Sequence, residues 1–272
     1  MNQRQWIPIE DSAPTNIRRL TTIPASIVFG TTCVGLIIGL LIGQPLLGAI
    51  VLLIASAGLM WNVRRNAEAL VLSTVGGHGA SETEHARLFN VIEGLCVVGG
   101  DQRPAVRIVD VDFPVALAVA MPGSAGTIVV STGFIASMGR VETEAVMAHL
   151  MWRIRSGDIS LTTYLLALSK VFGALRLSAV TRFIVKKVTD DRVVLFADLS
   201  ACQATRYPPA LISALEIMFG ARAVSAGSVG AHPLWFATPA LPGGATNGAS
   251  NFSSLGFVRS SILERIAVLK EI

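Results

Sequence analysis

The sequence has little charge and very little cysteine. Charged residues make up 15% of its 272 residues, whereas a typical soluble domain carries about 25%; 52% are hydrophobic and the mean hydropathy is +0.61. Disorder is excluded, because it requires low hydrophobicity and high net charge. Three cysteines, Cys33, Cys96 and Cys202, are too few for a disulfide scaffold. The net charge of +4 is small and does not indicate nucleic-acid binding.

Charge is absent altogether from residues 20–63. A helix needs about 20 apolar residues to cross the hydrocarbon core of a bilayer, so this stretch is long enough for two crossings. Gly43 and Pro45 predict a turn between them, because both residue types interrupt helices. We therefore expect spans at about 24–42 and 46–61, in contact with the lipid bilayer.

Arginines flank this stretch on both sides and predict its orientation. Arg18 and Arg19 precede it, and Arg64 and Arg65 follow it. Positive residues favour the cytoplasmic side, so both ends are expected there. The length of the stretch, with no small-residue cleavage site, favours a hairpin over a signal peptide. We expect a multi-pass protein of the cell membrane, a bacterial inner membrane, with its main domain in the cytoplasm.

The rest of the chain predicts a mostly helical α+β domain. Strand patterns cover 106–111 and 127–131, and apolar residues recur at helical spacing elsewhere. The expected organisation is an N-terminal segment at 1–22, the hairpin at 23–63 and a folded domain at 64–272. A Gly-rich flexible insertion is expected at about 221–255. Helices are predicted at 82–96, 142–155, 190–206, 209–219 and 260–270.

Residues 160–188 combine apolar and basic character. Lys170 and Arg176 interrupt an apolar run, and charges within a span are expensive. Arg182, Lys186 and Lys187 then suit an anionic lipid surface. We predict an interfacial or re-entrant segment.

Several short motifs occur in a fixed order along the chain. Together they resemble the HtpX-like membrane zinc metalloproteases of the gluzincin type, and the resemblance implies a zincin-like domain behind a two-span hairpin. The motifs are Pro104-Ala-Val-Arg-Ile-Val-Asp, Val115-Ala-Leu-Ala, Ile128-Val-Val-Ser-Thr-Gly-Phe-Ile, Glu142-Thr-Glu-Ala-Val-Met-Ala-His, Arg155-Ser-Gly-Asp, Phe196-Ala-Asp, Pro209-Ala-Leu-Ile-Ser-Ala-Leu, His232-Pro and Glu264-Arg-Ile.

The resemblance also implies a zinc site, whose pattern is degenerate here. The family carries H-E-x-x-H on one helix, plus a Glu four residues before an Asp on a later helix. Two His one helical turn apart and the Glu bind Zn²⁺, and the Glu beside the first His is the general base. The corresponding residues in this chain are His149, Leu150, Arg153, Val194 and Asp198.

Only His149 remains of the implied metal ligands and general base. We therefore expect no catalytic residue, no metal and no cofactor, with zinc lost. Asp198 is expected to pair with His149, because in the family this Asp supports a zinc-binding His. We further hypothesise that Arg153 fills the place of the metal and pairs with Asp198.

The degenerate site favours a pseudo-protease that binds, scaffolds or regulates in a membrane complex with a protein partner. A peptide groove is predicted at an edge strand formed by Ile128, Val129, Val130 and Ser131. The alternatives are a metalloendopeptidase with a non-standard site, active in membrane-protein quality control, and a purely structural subunit. Asp198 and Cys202 are also spaced like metal ligands, although Cys202 is more readily explained as a buried small side chain.

Overall fold

The computed structural model describes residues 9–188, 192–221, 231–237 and 261–272. The predicted insertion at 221–255 lies outside these residues, apart from 221 and 231–237. The helices are α1 (Ile9–Ile42), α2 (Pro45–Val75), α3 (Ala86–Gly99), α4 (Thr132–Ser137), α5 (Arg140–Arg155), α6 (Asp158–Ala174), α7 (Ser178–Val188), α8 (Arg192–Thr205), α9 (Pro208–Gly220) and α10 (Ile262–Lys270). The strands are β1 (His78–Gly79), β2 (Ala105–Val109), β3 (Ala116–Val119) and β4 (Thr127–Ser131).

Helices α1 and α2 form the predicted membrane hairpin. Gly43 has a φ of 81°, and Pro45 begins α2, so the turn lies where the sequence placed it. The facing backbones approach closely: a Cβ on Gly35 would lie 2.5 Å from the carbonyl oxygen of Gly48. Small residues permit such packing between membrane helices. Apolar side chains near the turn remain exposed, such as Leu41 at 84%, which suits contact with lipid.

Both hairpin helices continue beyond the predicted spans into the folded domain. Helix α1 begins at Ile9 and α2 ends at Val75. Asn16 of α1 donates to the carbonyl of Ser156, and Lys170 of α6 donates to the carbonyl of Leu70. The hairpin and the α+β domain are thus joined by continuous helices and by contacts between them.

The sheet has the strand order β1-β2-β4-β3. Strand β2 pairs parallel to β4, with Ala105 opposite Thr127, whereas β3 pairs antiparallel to β4, with Ala116 opposite Val130. Both edges of β4 are therefore hydrogen-bonded to neighbouring strands. The prediction that this segment is an edge strand is wrong, and β3 lies at that end of the sheet instead.

The segment predicted to lie at the membrane interface divides into two different helices. Helix α6 is buried along most of its length, and it contacts α2 and α5. Residues 160–169 and Phe172 are accordingly part of the protein core, which corrects the interfacial prediction for them. Helix α7 exposes Phe183, Lys186 and Lys187, and for this helix an interfacial position stays a prediction.

Candidate functional site

The degenerate motif lies on two facing helices. His149, Leu150 and Arg153 project from α5, and Val194 and Asp198 project from α8. All five side chains are buried, and His149, Leu150 and Arg153 have no exposed surface. His149 and Arg153 are one helical turn apart, so they lie on one face of α5. The structure thus brings together the residues that the sequence assigned to one site.

A buried chain of charged and polar groups connects α5, α8 and α10. His149 Nδ1 lies 2.8 Å from Asp198 Oδ1, the pair that the resemblance implied. Arg265 binds the same carboxylate with two hydrogen bonds of 2.7 Å, from Nε to Oδ2 and from Nη2 to Oδ1. Its Nη1 donates to the carbonyl of Phe236 over 2.6 Å. Such forked Arg–carboxylate pairs are among the strongest polar contacts in proteins.

The His149 ring is fully buried and is held neutral. Burial lowers the pKa of its imidazole to about 4, although the nearby Asp198 acts in the opposite direction. Nδ1 faces Asp198, whereas Nε2 has no hydrogen-bond partner in the described part of the chain. The ring also meets Phe236 edge-on, with centroids 4.9 Å apart.

The carboxyl group of Asp198 stays ionised. Its burial acts to raise its pKa, but the Arg265 guanidinium and the contact with His149 outweigh burial and hold the pKa below its usual value. The charge of Asp198 is therefore balanced by a protein cation.

Arg153 does not pair with Asp198, so the hypothesis that it replaces the metal beside this acid is wrong. It binds Asp158 instead, with Nε and Nη2 each 2.7 Å from Oδ2. Its guanidinium also donates to three backbone carbonyls, at 3.3 to 3.5 Å, of Pro233, Leu234 and Trp235. Asp158 lies only five residues along the chain, so Arg153 obtains a local counterion and leaves Asp198 to Arg265.

These residues do not fit a zinc ion. Zinc needs three protein ligands in a catalytic site, and of the implied ligand positions Val194 offers no donor atom; Leu150, at the position of the general base, cannot accept a proton. Arg153 adds a positive charge, and both oxygens of Asp198 are bound by Arg265. Within the described residues, no group of three His, Cys, Asp or Glu side chains could hold a metal ion.

The other candidate residues have structural surroundings. Burial raises the pKa of the Cys202 thiol to about 11, so it is a neutral thiol and not a thiolate ligand. The Ser131 hydroxyl donates to the carbonyl of Phe113 and accepts from the amides of Val115 and Phe134. Ser131 thus shapes the turn after β4, and with the rest of that strand it lies inside the sheet.

Two features were missed by sequence reasoning. Arg265 falls in one of the quoted motifs, yet the sequence does not show which acid it meets. Residues 231–237 lie against the site: Trp235 forms an antiparallel bridge with Leu117, and the Phe236 amide donates to the carbonyl of Ala116 over 2.7 Å. A hydrophobic Leu234-Trp235-Phe236 run was the available signal.

The fold and the site together define a class: an α+β protein with a hairpin of two apolar, membrane-type helices and a buried cluster of His149, Asp198 and Arg265. The chain is similar to curated proteins named "Protease HtpX homolog". The protein from Ligilactobacillus salivarius is 29% identical over 59% of this chain and 55% of its own length. That from Dictyoglomus thermophilum is 26% identical over 67% and 70%, and that from Tropheryma whipplei 26% over 93% and 95%.

The chain is therefore HtpX-like, and the resemblance seen in the order of its motifs is confirmed. No family model matches it. The match spans only about half the length of the Ligilactobacillus protein. The relatives are named as proteases, whereas the residues at the corresponding site of this chain do not fit a zinc ion.

Proposed function

We propose that this chain is a membrane-anchored, catalytically inactive HtpX-like pseudo-protease, which acts as a binding, scaffold or regulatory subunit of a membrane complex. The residues at three implied site positions carry the proposal: Arg153 and Val194 stand where metal ligands are implied, and Leu150 stands where the general base is implied. In a zinc site, the carboxylate of Asp198 would orient a zinc-binding histidine. Here Asp198 still lies 2.8 Å from His149 and is bound by Arg265, but His149 is the one implied metal ligand that remains.

The residue at the implied general-base position supports the same conclusion. Leu150 stands where the resemblance implies a general base, and a leucine cannot accept a proton from water. Site residues, in this proposal, have structural and not catalytic roles.

The proposed arrangement in the membrane follows from charge and burial. Residues 1–22 form an N-terminal segment, 23–63 the two-span hairpin and 64–272 the protease-like domain, which we place in the cytoplasm on the basis of the flanking arginines. Helix α7 would lie at the lipid interface. Arg19, beside the hairpin, donates to the carbonyl of Val188 at the end of α7 over 3.0 Å, and Phe183 is 69% exposed.

The alternative is a membrane zinc metalloendopeptidase with a non-standard site and a role in membrane-protein quality control, and the word "Protease" in the name of the relatives favours a protease. The zinc content of the purified chain distinguishes the metalloendopeptidase from the pseudo-protease. The full chain is purified in mild detergent without chelators, and zinc per chain is measured by mass spectrometry together with cleavage of casein. We expect far less than one zinc per chain and no cleavage.

The variants His149→Ala and His78→Ala distinguish the site from accidental binding. The His78 side chain is 60% exposed, so its loss serves as the matched control. One zinc per chain that disappears in His149→Ala and persists in His78→Ala, together with cleavage, would establish the metalloendopeptidase.

The scaffold role is tested separately. Affinity purification from native membranes in mild detergent is expected to yield a membrane-protein partner in a fixed ratio. If the chain purifies alone under conditions that preserve known complexes in the same membranes, the scaffold role is excluded.

A further inference from the structure

Residues 231–237 lie against the free edge of the sheet: His232–Leu234 form a short 3-10 turn, and Trp235 and Phe236 pair with β3. One edge of β3 pairs with β4, and the other meets this segment through the Leu117–Trp235 bridge and the hydrogen bond from the Phe236 amide to Ala116. The pairing is antiparallel. At Trp235 and Phe236 these main-chain contacts are of the kind that an extended peptide makes when it adds to a sheet edge.

Two buried arginines hold the segment from the opposite side. Arg153 donates to the carbonyls of Pro233, Leu234 and Trp235, and Arg265 donates to the carbonyl of Phe236. The backbone carbonyls of the four consecutive residues 233–236 thus accept hydrogen bonds from buried arginines. Such contacts depend little on the identity of the bound side chains, as in peptide recognition by a sheet edge.

The side chains of the segment fill the space beside the degenerate site. Trp235 and Phe236 are each 1% exposed, and Phe236 lies between the His149 ring and the Arg265 guanidinium, which is 4.7 Å from its ring centre. A peptide bound at β3 would require the same space and the same hydrogen-bonding groups.

We propose that residues 231–237 are an internal ligand of this cleft, and that they exclude extended peptides from the edge of β3. The inference rests on the proposed function. It requires that Arg153, which stands where the resemblance implies a metal ligand, binds residues 231–237 instead. The cleft recognises a polypeptide main chain, and its occupant is the chain's own segment. Partners of the pseudo-protease must then bind to another surface.

The test removes the native residues 231–237 from the chain and adds them back as a separate peptide. In the full chain, residues 231–237 are exchanged for seven Gly and Ser residues, and a fluorescein-labelled peptide with the sequence of 231–237 is titrated in detergent micelles. A scrambled peptide of the same composition is the control. If the edge of wild-type β3 is free for less than a tenth of the time, wild type binds at least about tenfold more weakly than the exchanged chain.

Two outcomes would overturn the proposal: equal binding by wild type and the exchanged chain, or no preference of the folded exchanged chain for the native over the scrambled peptide. Circular dichroism checks folding. If the exchanged chain does not fold, hydrogen exchange in wild type decides: slow exchange of the Phe236 amide is expected, and exchange at the rate of an unstructured peptide refutes the occupancy.

A milder pair of variants tests the role of Arg153. Arg153→Lys keeps a cation beside Asp158 but loses the planar fork that contacts the carbonyls. We expect the Phe236 amide to exchange at least about fivefold faster in this variant, whereas Arg155→Lys, at an exposed pair with Asp101, leaves it unchanged. Equal exchange in both variants would show that Arg153 does not hold the segment.

Cleavage is read out separately from binding. Mass spectrometry of the peptide after incubation with zinc detects hydrolysis, and hydrolysis would refute the proposed inactivity. The occupancy of the cleft is still decided by the ratio of the two affinities and by the exchange of the Phe236 amide.

Discussion

The buried pair between Arg265 and Asp198 allows a quantitative test of the site. In Arg265→Met, the carboxylate of Asp198 loses both 2.7 Å hydrogen bonds, and the carbonyl of Phe236 loses a third. Both side chains of the pair are at most 2% exposed, so water does not replace these contacts. Removing one partner of a buried ion pair costs about 3–5 kcal/mol, because the other charge stays buried without compensation.

This loss is measurable as a shift in thermal unfolding. For a domain of this size, about 1 kcal/mol corresponds to roughly 2–4 °C, so Arg265→Met should lower the Tm by roughly 6–20 °C. Tryptophan fluorescence in detergent micelles, at a fixed scan rate, records the transition, since Trp235 is buried. Arg155→Met is the matched control: its pair is partly exposed, and we expect a loss of less than about 1 kcal/mol.

Replacing the charges of both Asp198 and Arg265 completes a double-mutant cycle. The double variant Asp198→Leu with Arg265→Met leaves no buried charge in the pair, and it should be less destabilised than the sum of the two single variants. Additive losses, or a Tm of Arg265→Met equal to wild type, would refute the electrostatic account. A rise in the Tm of wild type on adding zinc would also contradict it, because ligands that bind the native state stabilise it.

Two further predictions concern pH and the hairpin. Because the folded pKa of His149 is about 4, below its ordinary 6.5, the unfolded chain binds more protons between these values, and stability is lost as the pH falls from about 6.5 to about 4, by up to roughly 3 kcal/mol. Tm measured from pH 7.5 to pH 4 should show this loss, and His149→Phe should show less of it; identical slopes would contradict the assignment. Gly48→Val should separate α1 from α2, because its added atoms meet the backbone of Gly35, whereas Gly58→Val has open space and serves as control. Crosslinking of cysteine pairs across the hairpin compares the two variants, and equal yields would refute the close packing.

The membrane hairpin was predictable because its signals are local. An uncharged stretch of sufficient length and a Gly43 to Pro45 turn are properties of neighbouring residues. The helix that carries His149 was predicted for the same reason, from its apolar spacing. The pairing of His149 with Asp198 came instead from the resemblance to a family, since no local pattern joins residues on two helices.

The order of the strands was not predictable in this way. The sequence shows that Ile128, Val129 and Val130 form a strand, but which strands lie beside it depends on contacts far along the chain. A continuous apolar run is itself typical of a strand buried on both faces. The short β3 was missed because Ala116 and Ala118 carry little β-propensity.

The partners of the two arginines show the same limit. Asp158 lies only five residues after Arg153, so a local pair between them was open to prediction. The implied metal site led instead to the prediction that Arg153 pairs with Asp198. Asp198 is 67 residues from Arg265 in sequence, and only the packing of α8 against α10 brings them together. Charge pairing among buried groups is a global property, because each ion takes the counterion that the fold makes available.

These contacts make the degenerate site a connected unit. Reverting Arg153 to histidine alone would leave Asp158 without its cation and three carbonyls without their donor, at a cost for each buried group. Zinc binding would additionally require an oxygen donor at Val194 and access past residues 231–237, and hydrolysis would require a general base at Leu150. No single substitution therefore restores the implied zinc chemistry, and the groups that replaced it now stabilise the junction of α5, β3 and the segment at 231–237.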